Sequence, residues 1–261
     1  MIYSMHMKNL LKEKLAKKDY VLGAFVASCS PTNVEILGMN GLDFVILDME
    51  HSPLGLETMV NMIRAAEAYD MVAIPRVYTI ETKLMRRILD VGAHGLLVPM
   101  VNNMTDAKYI MDAVKFPPLG ARGMNAGRGP RWGAYDHYIQ EANDALFTMF
   151  QCETCEGLRN VDEIAQMDGL DSIFIGTGDL SLDMGHPQDL KNPEVSAAID
   201  KILCACQKNN KIPGIVTGSP EAAAERIQQG FRIVTIMNDL GMFKKQSQLQ
   251  VEAVHALCSA E

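Results

Sequence analysis

The strongest constraint on this chain is a rhythm: short apolar runs of strand length recur throughout, and segments of helical character separate them. Residues 21–27, 44–47, 71–77, 95–100, 146–153, 172–175, 212–216 and 231–237 read as strands. Residues 32–39, 56–69, 82–91, 106–114, 135–143, 195–207, 220–229 and 241–257 read as helices, with Pro31 and Thr32 as a start signal and Gly230 as a stop. No Pro/Gly/Ser-rich linker or low-complexity tract breaks the pattern. Eight strands alternating with eight helices is the tally of a single (β/α)8 TIM barrel, one α/β domain over residues 1–261. A lead-in helix at about 7–18 precedes the first strand, and the closing helix spans about 241–257.

Composition narrows the function classes. A net charge of −8 opposes general binding to nucleic acid or to an anionic membrane surface. No apolar run approaches the roughly 20 residues of a membrane span. Residues 8–18 interleave five lysines with Leu10, Leu11 and Leu15, lacking both a secretory apolar stretch and the arginine richness of a transit peptide. A solvated amphipathic helix and a cytoplasmic location are expected. The six cysteines are too sparse for a secreted disulfide scaffold, and strand alternation turns Cys152 away from Gln151 and Glu153, toward the outer packed layer. Buried structural thiols are therefore preferred over a redox pair or a zinc site, despite the CxxC spacing of Cys152 and Cys155.

In such a barrel the active site forms where the strands end and the βα loops gather. Asp48, Glu50 and His51 follow the second strand, Arg76 closes the third, Gln151 and Glu153 end the fifth, and Asp179 follows the sixth. All fall on one rim. Glu153 and Asp179 end neighbouring strands, about 5 Å apart, so their oxygens can converge on one cation. Two carboxylates without His or Cys support suit a hard ion such as Mg²⁺ or Mn²⁺; the alternative is two unrelated loop caps. Arg76 suits a substrate carboxylate or a developing oxyanion, and equally a partner for Asp48 or Glu50. His51, held by a carboxylate such as Asp48, suits proton transfer; a satisfied structural histidine is the alternative. Residues 176–178 supply backbone amides that can approach an anion closely. The irregular segment 116–132, rich in proline, glycine and arginine, reads as a functional or mobile loop. Every lysine falls on a helix, on a connector or, for Lys211, at the entry of a strand, so metal-assisted enolate chemistry is favoured over a Schiff base.

The motifs Asp48-Met49-Glu50-His51, Pro75-Arg76-Val77, Leu97-Val98-Pro99-Met100, residues 117–123, Gln151-Cys152-Glu153-Thr154 and residues 176–181 carry a resemblance. In this order and spacing, over about residues 8–245, the chain resembles the HpcH/HpaI aldolase family. These are class II pyruvate aldolases with a barrel of the phosphoenolpyruvate/pyruvate type. The resemblance implies a divalent cation, Mg²⁺, Mn²⁺ or Co²⁺, on Glu153 and Asp179, with Gln151 near bound pyruvate and the amides around Gly178 and Asp179 on its carboxylate. It further implies that Arg76 steadies the enolate, that Asp48 and His51 transfer the proton, and that Glu50 supports them from behind. The expected substrates are a 2-oxo acid and an aldehyde, in a homo-hexamer whose last helix packs on a neighbouring subunit. The chain departs from the family at Thr177-Gly178, where Pro-Ala is usual, which is expected to loosen the carboxylate-binding turn. The loop 125–136 keeps Arg128, Arg131 and Trp132 without matching in detail, which leaves the acceptor aldehyde unassigned. An acyl-CoA lyase of the malyl- or citramalyl-CoA type and a non-catalytic 2-oxo-acid-binding barrel are the alternative readings.

Overall fold

A strand that is apolar on both faces needs cover on both, and a closed parallel sheet wrapped in helices provides it. The computed structural model describes residues 5–259. Helix α1 (Leu10–Leu15) leads into β1 (Val21–Val26), α2 (Pro31–Met39), β2 (Phe44–Asp48), α3 (Leu56–Ala68), β3 (Val72–Arg76), α4 (Thr82–Asp90), β4 (Gly95–Val98) and α5 (Met104–Val114). The chain continues through α6 (Tyr138–Ala145), β5 (Phe147–Cys152), α7 (Cys155–Ile164), β6 (Ser172–Ile175), α8 (Thr177–Asp183), α9 (Pro193–Lys208), β7 (Ile212–Val216), α10 (Pro220–Gln229), β8 (Ile233–Asn238) and α11 (Asp239–Cys258). The strands form a closed barrel in sequence order, every pair parallel, with β8 returning to β1.

Two apolar layers follow from the side-chain alternation. Phe25, Phe44, Ile46, Val72, Ile74, Leu97, Phe147, Met149, Phe174 and Ile233 point inward and fill the barrel. Val45, Leu47, Ala73, Val98, Phe150, Cys152, Ile173 and Ile175 point outward and pack under the helices. The interior is tight: a Cβ added at Gly23 would lie 2.5 Å from the Phe44 ring. The lead-in helix is not simply solvated. Leu11 and Leu15 are buried against the barrel interior, while Lys12, Lys14 and Lys18 pair with Asp171, Asp70 and Asp43 around the strand entrances. Helix α1 therefore stoppers the end of the barrel remote from the rim.

Two helices escape the sequence pattern. Helix α7 does so although its stripe is amphipathic: Gly157, Val161 and Ile164 are buried, Leu158 packs against the core, and Thr154 caps the helix by accepting from Gly157 N. Helix α8 has seven residues and follows β6 directly. The eighth helix in the sequence tally was instead α6, an extra element in the crossover from β4 to β5. The CxxC spacing dissolves in the fold, because Cys152 ends a strand and Cys155 opens α7. Burial pushes the thiols of Cys152 and Cys206, both in the outer core, up to about 12.

The segment 116–132 lies at the stoppered end, because a connection from helix to strand reaches the N-terminal ends of the strands. Arg122 bonds Asp90 Oδ1 and the Tyr138 hydroxyl, both at 3.0 Å, and stacks on Phe116. Arg128 and Arg131 converge on Glu67, which His94 Nε2 approaches at 3.4 Å. The segment's arginines thus make structural contacts at the end of the barrel remote from the rim. Desolvation opposes the Glu67 charge, but the bonds from His94 and Arg131 prevail and hold its carboxyl at about 2. Since the folded value is depressed, the stabilisation is complete above the ordinary 4.5 and disappears as pH falls toward 2. We expect Glu67→Gln to lower stability at pH 7 by about 1–2 kcal/mol, allowing for solvent screening. Thermal melts of the two proteins should converge as pH falls below about 4.

Candidate active site

Strand register brings the first part of the site together, since Asp48 and Arg76 are direct partners across β2 and β3. Arg76 Nε and Nη2 donate to Asp48 Oδ1 and Oδ2 at 3.0 and 2.8 Å, and Nη1 lies 3.0 Å from Glu50 Oε2. The guanidinium also sits over the Phe25 ring, 4.9 Å from its centroid. Two of its five N–H donors are hydrogen-bonded, both to Asp48, and Nη1 faces Glu50 as an ion pair, so N–H donors remain on the Nη atoms for another oxygen. Asp48 Oδ1 additionally accepts the backbone N–H groups of Glu50 and His51, at 3.0 and 3.3 Å, which shapes the turn after β2.

The expectation that Asp48 holds the His51 imidazole is corrected. Both Asp48 oxygens face Arg76, and only the backbone of His51 reaches them. The imidazole is largely exposed, and the carboxylate facing it is Glu50, with Oε2 at 3.8 Å from Nε2. Burial raises the Glu50 carboxyl above its ordinary range against the lowering influence of Arg76 and His51.

The second part forms where β5 and β6 end. Gln151 and Glu153 are 1% and 2% exposed. Glu153 Oε1 accepts from Met100 N at 2.8 Å, and Oε2 accepts from Gln151 Nε2. Met100 adopts a left-handed φ of 55°, which directs its N–H at this carboxylate. Gln151 Oε1 is buried without a hydrogen-bond partner among the described residues. Gly176 lies directly over the pair; a Cβ there would strike Glu153 Oε2 and the Gln151 amide. Asp179, in the first turn of α8, completes this group and is exposed to the cleft. The first α8 amide with a backbone acceptor is Leu180 N, bonded to Gly176 O at 3.0 Å, so those of Thr177, Gly178 and Asp179 face outward.

Desolvation, reinforced by the negative charges of Asp179 and Glu50, pushes the Glu153 carboxyl up to about 7. Among the described residues no Lys, Arg or His forms an ion pair with it. Nor is any cluster of three or more His, Cys, Asp or Glu arranged as a ready metal cage among those residues. What exists is a buried carboxylate lacking a cation, an unpartnered amide oxygen and a second carboxylate at the opening. That donor set fits a hard divalent ion completed by water and substrate oxygens.

Asp48, His51, Arg76, Gln151, Gly178 and Asp179 line one cleft of about 580 Å³. Phe25 lines it beneath Arg76, and its other wall comes from Val216, Thr217, Met237, Asn238, Met242 and Lys245; none of these was singled out from sequence. Strand parity could have found Phe25 and Val216, as inward positions at strand ends. Lys245 was dismissed as a helix residue, yet it stands on the face of α11 that borders the opening.

A closed parallel barrel with carboxylates, a clamped arginine and a histidine on its C-terminal rim defines an α/β-barrel enzyme. Residues 21–245 match the family described as HpcH/HpaI aldolase/citrate lyase. A 4-hydroxy-2-oxo-heptane-1,7-dioate aldolase of Klebsiella pneumoniae subsp. pneumoniae is 34% identical over 232 residues, 88% of each chain. A 2-dehydro-3,6-dideoxy-6-sulfogluconate aldolase of Pseudomonas putida is 33% identical over 89% of this chain and 92% of its own. The crystal structure of an HpcH/HpaI aldolase/citrate lyase family protein from Burkholderia cenocepacia J2315 superposes with a TM-score of 0.89 at 29% identity, covering 95% of this chain and all of that one. The chain belongs to the HpcH/HpaI aldolase/citrate lyase family.

Proposed function

We propose that this chain is a divalent-metal-dependent aldolase, a carbon–carbon lyase that reversibly cleaves a 4-hydroxy-2-oxo acid to pyruvate and an aldehyde. The observation that carries this reading is Glu153, a buried carboxylate without a cationic partner beside an unpartnered Gln151 oxygen. Glu153 and Asp179 hold the ion, with Gln151 against the pyruvate unit. When bound, the ion supplies Lewis acidity at the 2-oxo group. The free amides of Gly178 and Asp179 take the substrate carboxylate. His51 removes the 4-hydroxyl proton, with Glu50 as the facing carboxylate. Asp48 acts differently from the sequence expectation: it fixes Arg76, whose remaining Nη N–H groups meet the oxyanion that develops on cleavage.

The same reading covers assembly and location. Of α11 only Asp239 is buried, while Phe243, Val251, Val254 and Leu257 are each more than half exposed. An apolar helix face of that length supports association with further copies of the chain, as a homo-oligomer of the hexameric kind. No helix among the described residues is long and apolar enough to cross a membrane, and a cytoplasmic enzyme is proposed.

Exchange of the pyruvate methyl protons tests the chemistry without an acceptor. In deuterated water, protein and Mg²⁺, Mn²⁺ or Co²⁺ together should exchange these protons far faster than metal alone, and chelation should stop the exchange. Exchange at the metal-only rate with all three ions would return the chain to the non-catalytic reading.

A further inference from the structure

Resting on the aldolase reading, we infer that Lys245 selects the acceptor aldehyde, drawing in one whose far end carries an anionic group. Asn238, Gly241, Met242 and Lys245 all line the cleft and follow the i, i+3, i+4, i+7 spacing of a single helix face. The direction of that face is fixed. Asp239, buried at the start of α11, accepts from Ala27 N at 3.0 Å and Leu240 N at 2.8 Å, and it is bonded by the Ser28 hydroxyl and the Asn33 amide. Asn238 Oδ1 caps the helix by accepting from Gly241 N at 3.1 Å, which leaves the Asn238 amide N–H groups on the cleft side.

Charge is distributed unevenly along the cleft. The inner wall holds Asp48 and Asp179 over the buried Glu153, and its one guanidinium is already clamped by Asp48 and Glu50. Lys245 is the cation of the outer wall, and among the described residues no carboxylate lies within ion-pair distance of it. Glu221 of α10 senses its charge from beyond that distance. An acceptor with an anionic tail is thus attracted to the outer wall, an orientation that presents its aldehyde carbon to the pyruvate side. Val216, Ile236, Met237 and Met242 supply the apolar stretch between the ends.

The test is aldol addition of pyruvate to matched acceptors: succinic semialdehyde against butanal, and glyceraldehyde 3-phosphate against glyceraldehyde. Wild type should prefer the charged member of at least one pair, and the preferred pair tells carboxylate from phosphate. The ratio of kcat/KM for charged over neutral acceptor should fall about tenfold in Lys245→Met and further in Lys245→Glu, chiefly through the acceptor KM. Raising the salt concentration should narrow the wild-type preference. A wild type indifferent to charge, or a ratio within twofold of wild type in both variants, overturns the inference. Pyruvate proton exchange by the wild type separates the two levels: with exchange present the failure belongs to Lys245 alone, and with exchange absent the aldolase reading fails too.

Discussion

Glu153→Gln should abolish turnover and at the same time make the metal-free protein more heat-stable. The first effect follows from removing the anionic donor that is buried deepest in the site, and a fall of about 10³-fold in kcat/KM is expected. The second follows from linkage. The Glu153 carboxyl sits at about 7 in the fold against an ordinary 4.5, because burial and the nearby Asp179 and Glu50 disfavour its charge. A raised carboxyl value means that the folded state binds the proton more tightly, so stability declines as pH rises from 4.5 through about 7. Above that range the wild-type fold carries a penalty of at most about 3 kcal/mol that a neutral amide avoids. Gln keeps an oxygen for Met100 N, and its NH₂ can meet the Gln151 amide once that group turns its unpartnered oxygen inward. Melting curves of metal-free wild type and variant should coincide near pH 4 and separate up to pH 8, with the variant higher. A variant that melts lower at pH 8, or one that keeps wild-type turnover after metal is restored, contradicts the assignment.

Arg76 is expected to behave in the opposite way, losing activity and stability together. It satisfies Asp48, which is 3% exposed, through two hydrogen bonds, and Glu50 through a third contact. Arg76→Met strands a buried carboxylate, at a cost of about 3–5 kcal/mol. The N–H groups left for an oxyanion disappear as well, so turnover should fall by about 10²–10³-fold. The double variant Arg76→Met with Asp48→Asn separates these effects, because the amide no longer needs a cation. Its melting temperature should recover most of the loss while activity stays low. Recovery of both would make Arg76 a purely structural partner of Asp48.

The barrel was legible because its signal is repetition: eight runs of strand character, each with inward and outward residues both apolar, admit few closed arrangements. Rim residues were legible for a related reason, since a titratable group at the end of an apolar strand has only the loop side to occupy. Two kinds of feature were hidden. Helix α7 is short, and its stripe of Gly157, Leu158, Val161 and Ile164 is interrupted by charged residues that read as connector. The pairing of Arg76 with Asp48 rather than His51 with Asp48 depends on register across β2 and β3, which four adjacent residues cannot reveal. Arg128 and Arg131 misled because composition announced function, whereas position in a helix-to-strand connection sends them to the closed end with Glu67.

The walls of the cleft have different addresses along the chain. Residues on the side to which we assign the 2-oxo acid are dispersed, from Asp48 to Asp179, and each depends on the closure of the whole barrel for its place. Much of the facing wall comes from residues 216–218 and 236–245, two short stretches near the C-terminus. On the proposed reading, substitutions confined to that tail remodel what the enzyme accepts as a second reactant without disturbing how it handles the first. A lineage with this layout can change its diet by editing its last paragraph while its chemistry stays written throughout the text.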